Sequence, residues 1–188
     1  MRIIAGKYRG TRLAELGKGD ARAHLRPTSD RVRESLFSIL SHRDALIGAR
    51  VLDLFAGTGA LGFEALSRGA DQALFVESGR VAQRLIEENI DKLRLAAQAD
   101  LLRADATRLP ALSQDPYDLI FLDPPYGKRL GEQALELCLT GRWLAAGALV
   151  VWEEAAPMLA PEGFVALDTR RFGSTHVTLL ECCADGVS

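Results

Sequence analysis

A chain of 188 residues, 48% hydrophobic and 26% charged, suits one domain with a proper core and room for a small appendage. It opens with no charged and apolar leader and has no apolar run near the roughly 18 residues a membrane helix needs, so a soluble, cytoplasmic protein is expected, with no membrane partner. Cys138, Cys182 and Cys183 have neither metal-site spacing nor the pattern of a disulfide framework, so no metal is expected. The formal net charge of −2 is unevenly divided. Residues 1–43 carry ten Lys or Arg against four acids, a net of +6, and residues 44–188 carry thirteen against twenty-one, a net of −8. A basic arm on an acidic body points to a polyanion docking at one end, against the plainer reading of an arm that is basic for solubility.

Arg2 to Gly6 and Thr11 to Leu16 are short extended stretches around Lys7-Tyr8-Arg9-Gly10 and predict a hairpin. A hairpin alone in water is marginal, so it must pack on the body or be ordered by a partner. Lys7, Tyr8, Arg9 and Arg12 suit phosphate contact and base stacking, although Tyr8 would serve equally as an anchor to the domain. Residues 1–25 are therefore assigned to a basic N-terminal extension and 26–188 to the main domain. Arg26-Pro27-Thr28-Ser29-Asp30 opens a helix to about Ser41, with Thr28 or Ser29 as N-cap and Val32, Leu36, Phe37, Ile39 and Leu40 as its apolar face. Arg26, Arg31 and Arg33 either line a ligand entrance or are solvated.

Val51 to Phe55 read as a buried parallel strand, and Gly57, Gly59 and Gly62 follow at G-x-G-x-x-G spacing before an apolar-periodic helix to Arg68. Strand, glycine turn and helix open a nucleotide-binding unit, since the turn needs positive φ and the helix aims free N–H groups over it. Asp53 lies inside the strand, where an unpaired carboxylate is expensive, so it is expected to bind something at the strand's carboxyl end. Ala73 to Val76 form the second strand, and Glu77 after it suits both hydroxyls of a ribose. A helix spans about Arg80 to Leu95, with Val81, Leu85, Ile90 and Leu93 facing inward. Leu101 and Leu102 mark a third strand, followed by Asp105-Ala106. Asp105 suits a purine amine there, or caps the turn at Thr107.

Tyr117 to Leu122 is the fourth strand, a helix runs from about Gly131 to Leu139, and Gly147 to Trp152 form a fifth strand ending in Glu153-Glu154. Phe164 to Arg171 and Thr175 to Cys182 have no helix between them and should pair antiparallel at the sheet edge. The body is therefore a doubly wound α/β sheet.

The fourth strand ends in Asp123-Pro124-Pro125-Tyr126, at the edge where such sheets bind ligands and beside the first strand's loop. Two prolines fix the backbone, so the turn can present Asp123 and the Pro124 carbonyl as paired acceptors for an amino group while Tyr126 stacks on a planar ring. An exocyclic amine is a poor nucleophile because its lone pair is delocalised. Acceptors on both hydrogens free that pair toward an electrophile, with no metal or covalent nucleophile.

Asp53-Leu54-Phe55-Ala56-Gly57-Thr58-Gly59 resembles the first motif of class I S-adenosylmethionine-dependent methyltransferases, and Asp123-Pro124-Pro125-Tyr126 their amino-methylating motif. Arg26 to Phe37, Arg2 to Gly6 and Phe172-Gly173-Ser174-Thr175 resemble the bacterial 16S ribosomal RNA guanine-N2 methyltransferases of the RsmD type, over nearly the whole chain. The resemblance implies a seven-stranded mixed sheet, order 3-2-1-4-5-7-6 with the seventh strand antiparallel, beyond a β-hairpin extension. It also implies S-adenosylmethionine over Asp53, Phe55, Ala56, Gly57, Thr58 and Gly59, its ribose on Glu77 and its adenine near Asp105 and Ala106. Asp123, Pro124, Pro125 and Tyr126 would hold the guanine amine of 16S rRNA in the 30S subunit, and Lys7, Tyr8, Arg9, Arg12, Arg26 and Arg31 would contact the RNA. A monomer is expected. The alternatives are a DNA adenine or protein glutamine acceptor, a dehydrogenase using the glycine turn for a dinucleotide, and a non-catalytic RNA-binding assembly factor.

Overall fold

The alternation of short apolar runs with amphipathic stretches folds as helices on both faces of one sheet in the computed structural model, which describes residues 1–15 and 30–183. The elements are α1 (Asp30–His42), β1 (Arg50–Leu54), α2 (Ala60–Ser67), β2 (Gln72–Val76), α3 (Arg80–Leu93), β3 (Ala99–Leu102), β4 (Tyr117–Leu122), α4 (Leu130–Thr140), β5 (Leu144–Glu154), β6 (Phe164–Phe172) and β7 (Thr175–Cys182). The seven strands lie in the order β3-β2-β1-β4-β5-β7-β6, as the resemblance implies. The first five are parallel, and β7 runs antiparallel to both β5 and β6. Arg26, Thr28 and Ser29, with the expected helix start, lie outside the described residues.

Strands buried on both faces carry near-continuous apolar runs, and alternate residues supply two cores. Val51, Phe75, Phe121 and Val151 pack against Leu36 and Phe37 of α1, Phe63 of α2 and Ile86 of α3. Leu52, Leu54, Ile120 and Trp152 pack against Leu135 and Cys138 of α4. The inward stripe of α3 is rotated from the expected one: Leu85 and Leu93 are buried, Val81 and Ile90 are half-buried, and Ile86 and the polar Asn89 take the inner places. β5 starts three residues before the expected Gly147, because a register shift between Tyr117 and Leu119 lets Leu144 pair with Tyr117.

The N-terminal segment is a strap on the body. Its two arms meet at one antiparallel bridge, Arg2 to Arg12, and bury Ile3 and Leu13 in the core. The Ile4 and Ala5 N–H groups donate to the Glu64 carboxylate at 2.7 and 3.0 Å, and Lys7 N–H donates to the Ser67 carbonyl at 2.7 Å. A Cβ on Gly6 would lie 1.8 Å from that carbonyl oxygen, so only glycine admits this approach. Arg33 is neither solvated nor at an entrance. It is fully buried, and its Nη2 donates to the Arg2 carbonyl and to Asp30 Oδ1, each at 2.7 Å.

Candidate active site at the carboxyl edge of the sheet

Ladder register decides what meets at the carboxyl edge. Leu54 pairs with Val76 on one side and with Leu122 on the other, and Leu122 pairs with Trp152. The residues that follow these ends, Phe55, Glu77, Asp123 and Glu153, therefore emerge side by side. The glycine turn and the proline ledge leave neighbouring strands.

Phe55, Gly57 and Gly59 all have left-handed backbones, with φ of 57°, 56° and 75°, and Gly59 caps α2. Gly62 serves packing: a Cβ there would stand 2.4 Å from the Phe75 ring. That is the close strand–helix approach expected of the third glycine. Asp53, only 3% exposed, accepts the Gly62 N–H on Oδ2 at 3.0 Å and so ties β1 to the first turn of α2. Burial pushes its carboxyl up to about 8, with the Glu77 charge adding and the Gly62 bond opposing.

Glu77 bridges two turns, accepting the Gly57 N–H on Oε2 at 2.8 Å and the Gly79 N–H on Oε1 at 2.6 Å. Each oxygen retains a second acceptor position. Thr58 offers its carbonyl to Asn89 Nδ2 at 3.5 Å, and the same buried Asn89 accepts the Ala14 N–H of the strap at 2.7 Å. Asp105 Oδ1 closes its own turn, accepting the Thr107 N–H at 2.9 Å and hydroxyl at 2.7 Å, which hold its carboxyl below the usual range. Beside it Ala106 is buried, while Ala56 and Thr58 are half-buried at the glycine turn.

In the ledge Asp123 and Tyr126 are half-buried, Pro124 is buried and Pro125 is exposed. The Tyr126 hydroxyl donates to Glu153 Oε1 at 3.0 Å and lies 3.4 Å from the Thr175 hydroxyl. Burial raises the phenol far above its ordinary value, with the Glu153 and Asp123 charges adding, so it stays protonated. Glu154 accepts the Gly127 N–H at 3.2 Å and the Ala155 N–H at 2.7 Å, fixing the chain just past the ledge. Sequence reasoning left Glu153 and Glu154 without a role, although two acids ending a buried strand were a usable signal. Thr175 was marked only by the Phe172-Gly173-Ser174-Thr175 stretch, which gave no role beside the tyrosine.

The basic residues divide by position. Lys7 and Tyr8 sit on Ser67, the last residue of α2, so the helix's eight residues, about 12 Å, separate them from the glycine turn. Arg9 is exposed at that same tip, and Tyr8 is half-buried against the core with Lys7 Nζ 5.2 Å from its ring. Arg12 lies at the strap's bridge, and Arg31 is exposed in the first turn of α1. Among the described residues no three His, Cys, Asp or Glu converge as a metal site, and no helix is long and apolar enough to cross a membrane.

The model of the family described as conserved hypothetical protein 95 matches residues 1–181. A Haemophilus influenzae protein named ribosomal RNA small subunit methyltransferase D is 36% identical over 187 residues, 96% of this chain and 93% of that protein. Its namesake from Escherichia coli is 38% identical over 153 residues, 81% and 74% of the two chains. The solved structure of a putative methyltransferase from Escherichia coli superposes with a TM-score of 0.85 at 34% identity, covering 98% of this chain and 99% of that one.

Proposed function

The chain belongs to the family of conserved hypothetical protein 95, and from that premise we propose that it transfers a methyl group from S-adenosylmethionine to the exocyclic N2 amine of a guanine in 16S rRNA. Family membership makes it a methyltransferase, and the donor and the atom methylated are our reading. One observation supports it above the others. The Leu54–Leu122 register sets a glycine turn beside a proline ledge whose tyrosine is fastened by Glu153, so a donor and a flat amine-bearing base can share one edge.

The residues present fit a nucleoside donor. Gly57 carries no side chain to bar a ligand from the turn, Gly59 lets the turn close on the Phe63 ring, which a Cβ would meet at 2.7 Å, and Glu77, held by two backbone N–H groups, keeps further acceptor positions for a ribose. When bound, S-adenosylmethionine supplies a methyl group made electrophilic by its sulfonium. Asp53 keeps the turn on β1, while Asp105 and Ala106 border the place for adenine. Asp123 and the Pro124 carbonyl accept the two amine hydrogens and turn the nitrogen lone pair outward. The Asp123 carboxylate then accepts the proton the methylated nitrogen gives up. Tyr126, neutral and tied at its hydroxyl, offers its ring face to the base. The base is splayed out of the RNA to reach the ledge. The protein acts as a monomer on the 30S subunit, with the strap and Arg31 contacting RNA.

Labelled methyl transfer to 30S particles, naked 16S rRNA, DNA and a release factor, assayed side by side, tests this reading. Label in the RNA of the 30S particles is expected. Label confined to DNA or protein, or heat of binding with NADH and none with S-adenosylhomocysteine, overturns it.

A further inference from the structure

We propose that Lys128 and Arg129, in the turn after the ledge, and Arg171, beside the β6–β7 hairpin tip, form a second RNA-contacting rim that grips phosphates next to the extruded base. This rests on the rRNA reading above and adds a surface to it, on the side of the ledge away from the glycine turn.

Placement comes first. Thr175, the first residue of β7, lies against the Tyr126 hydroxyl, and the Glu154–His176 pairing sets the start of β7 at the carboxyl end of β5. The tip, Phe172-Gly173-Ser174, therefore stands beside the ledge. Phe172 pairs across the hairpin with Thr175 and is half-buried against the core, which fixes the tip to the body. Lys128 and Arg129 follow Gly127, whose N–H is held by Glu154. Ledge, turn and tip thus belong to one bonded assembly.

Charge comes second. Residues 44–188 carry a net −8, so a positive corner on this body is not a matter of composition. The acids here are turned inward, Glu153 accepting the tyrosine hydroxyl and Glu154 two backbone N–H groups. The cations face outward. Lys128, Arg129 and Arg171 are all exposed, and Arg171 Nε donates to the Gly173 carbonyl at 2.9 Å, which presets the guanidinium across the turn. Arg129 has Glu132 at 3.7 Å, but its side chain is 84% exposed and that pairing is weak in water.

Need comes third. A base drawn out of a folded RNA must have its flanking phosphates positioned, because phosphate contacts set register. The strap tip with Lys7, Tyr8 and Arg9 lies at the far end of α2, roughly 12 Å from the glycine turn. The rim is on the other flank and is bonded to the ledge itself. RNA crossing the edge meets the strap's side of the sheet on one flank and this rim on the other.

The full chain carrying Lys128→Glu and Arg171→Glu tests the proposal, with Arg142→Glu, one such charge reversal beyond the C-terminal end of α4, as control, alongside each single variant. Methyl transfer to the 16S rRNA of 30S particles is measured against particle and salt concentration, and S-adenosylhomocysteine binding by calorimetry. The expected result is a KM for RNA raised at least about tenfold and a salt slope smaller by about two, near one per lost phosphate contact. The kcat at saturating RNA and the calorimetric affinity stay at wild-type values, and the control behaves as wild type. Wild-type KM and salt slope in the double variant overturn the rim while leaving the rRNA reading intact. If the wild-type protein labels DNA or protein but no RNA, the reading fails and the rim with it. Should the charge reversals cost calorimetric binding, Lys128→Ala with Arg171→Ala is read by the same two criteria.

Discussion

The glycine-turn half of the edge and the ledge half are held together by different kinds of partner. Around the glycine turn, acids grip main chain: buried Asp53 holds Gly62, half-buried Glu77 holds Gly57 and Gly79, and buried Glu64 holds Ile4 and Ala5. Around the ledge, Glu154 also holds main chain, at Gly127 and Ala155, but the tyrosine itself is fastened by side chains of β5 and β7. Acids on backbone make a preformed cradle in which any loss opens the structure. Side chains on a side chain orient one ring, and their loss leaves the fold standing. Substitutions on the glycine-turn side should register in stability and donor binding, and those on the ledge side in the rate of transfer.

The largest effect is expected from Glu64→Ala, which strips the strap of two acceptors and leaves the buried Arg33 and the nearby Arg68 without their shared carboxylate. Breaking a buried pair in this way costs about 3–5 kcal/mol. Urea unfolding should show that loss, and an unaltered midpoint would break the contrast on its structural side. Next comes Asp123→Ala, expected to lower transfer by about 10²–10³-fold or more with S-adenosylhomocysteine affinity retained, as for a lost electrostatic group. A matching fall in donor affinity would erase the distinction between the halves. Gly62→Ala should cost about 1–3 kcal/mol by overpacking, because its Cβ would meet the Phe75 ring at 2.4 Å.

Asp53 sharpens the comparison through pH. Its folded value, about 8, lies above the unfolded 3.8, so the folded state binds the proton more tightly. Stability present at low pH is then lost as pH rises from about 4 to about 8, with about 2 kcal/mol of the loss falling between about pH 6 and about pH 8. Urea midpoints should follow this course in the wild type and flatten in Asp53→Asn; parallel profiles would deny Asp53 the role. The smallest change is expected from Tyr126→Phe, which removes one hydrogen bond worth about 1 kcal/mol, slows transfer about fivefold in single-turnover assays and lowers the melting temperature by only about 2–4 °C.

Much of this was legible in the sequence because the signals were local. Glycine spacing, an acid after each of two apolar runs and a double proline after a third mark strand ends that the ladder then aligns. Distant partners were not legible. Arg33 lies in a helix whose exposed face is also charged, and its burial follows from the Arg2 carbonyl 31 positions away. The strap's basic tip reads as suited to phosphate contact and base stacking, and its place at the far end of α2 is set by bonds to Ser67 that join residues about 60 apart. Asp105 could be read as a purine acceptor or a cap, and its Oδ1 bonds to Thr107 are those of the cap.

The most direct test is nucleoside mass spectrometry of 16S rRNA, taken from 30S particles lacking the modification after incubation with the protein and S-adenosylmethionine. N2-methylguanosine at one position with the wild-type chain, and none with Asp123→Ala, is the predicted result. A methyl group on a different atom, or equal yield from the variant, would contradict the account of an amine held on the proline ledge.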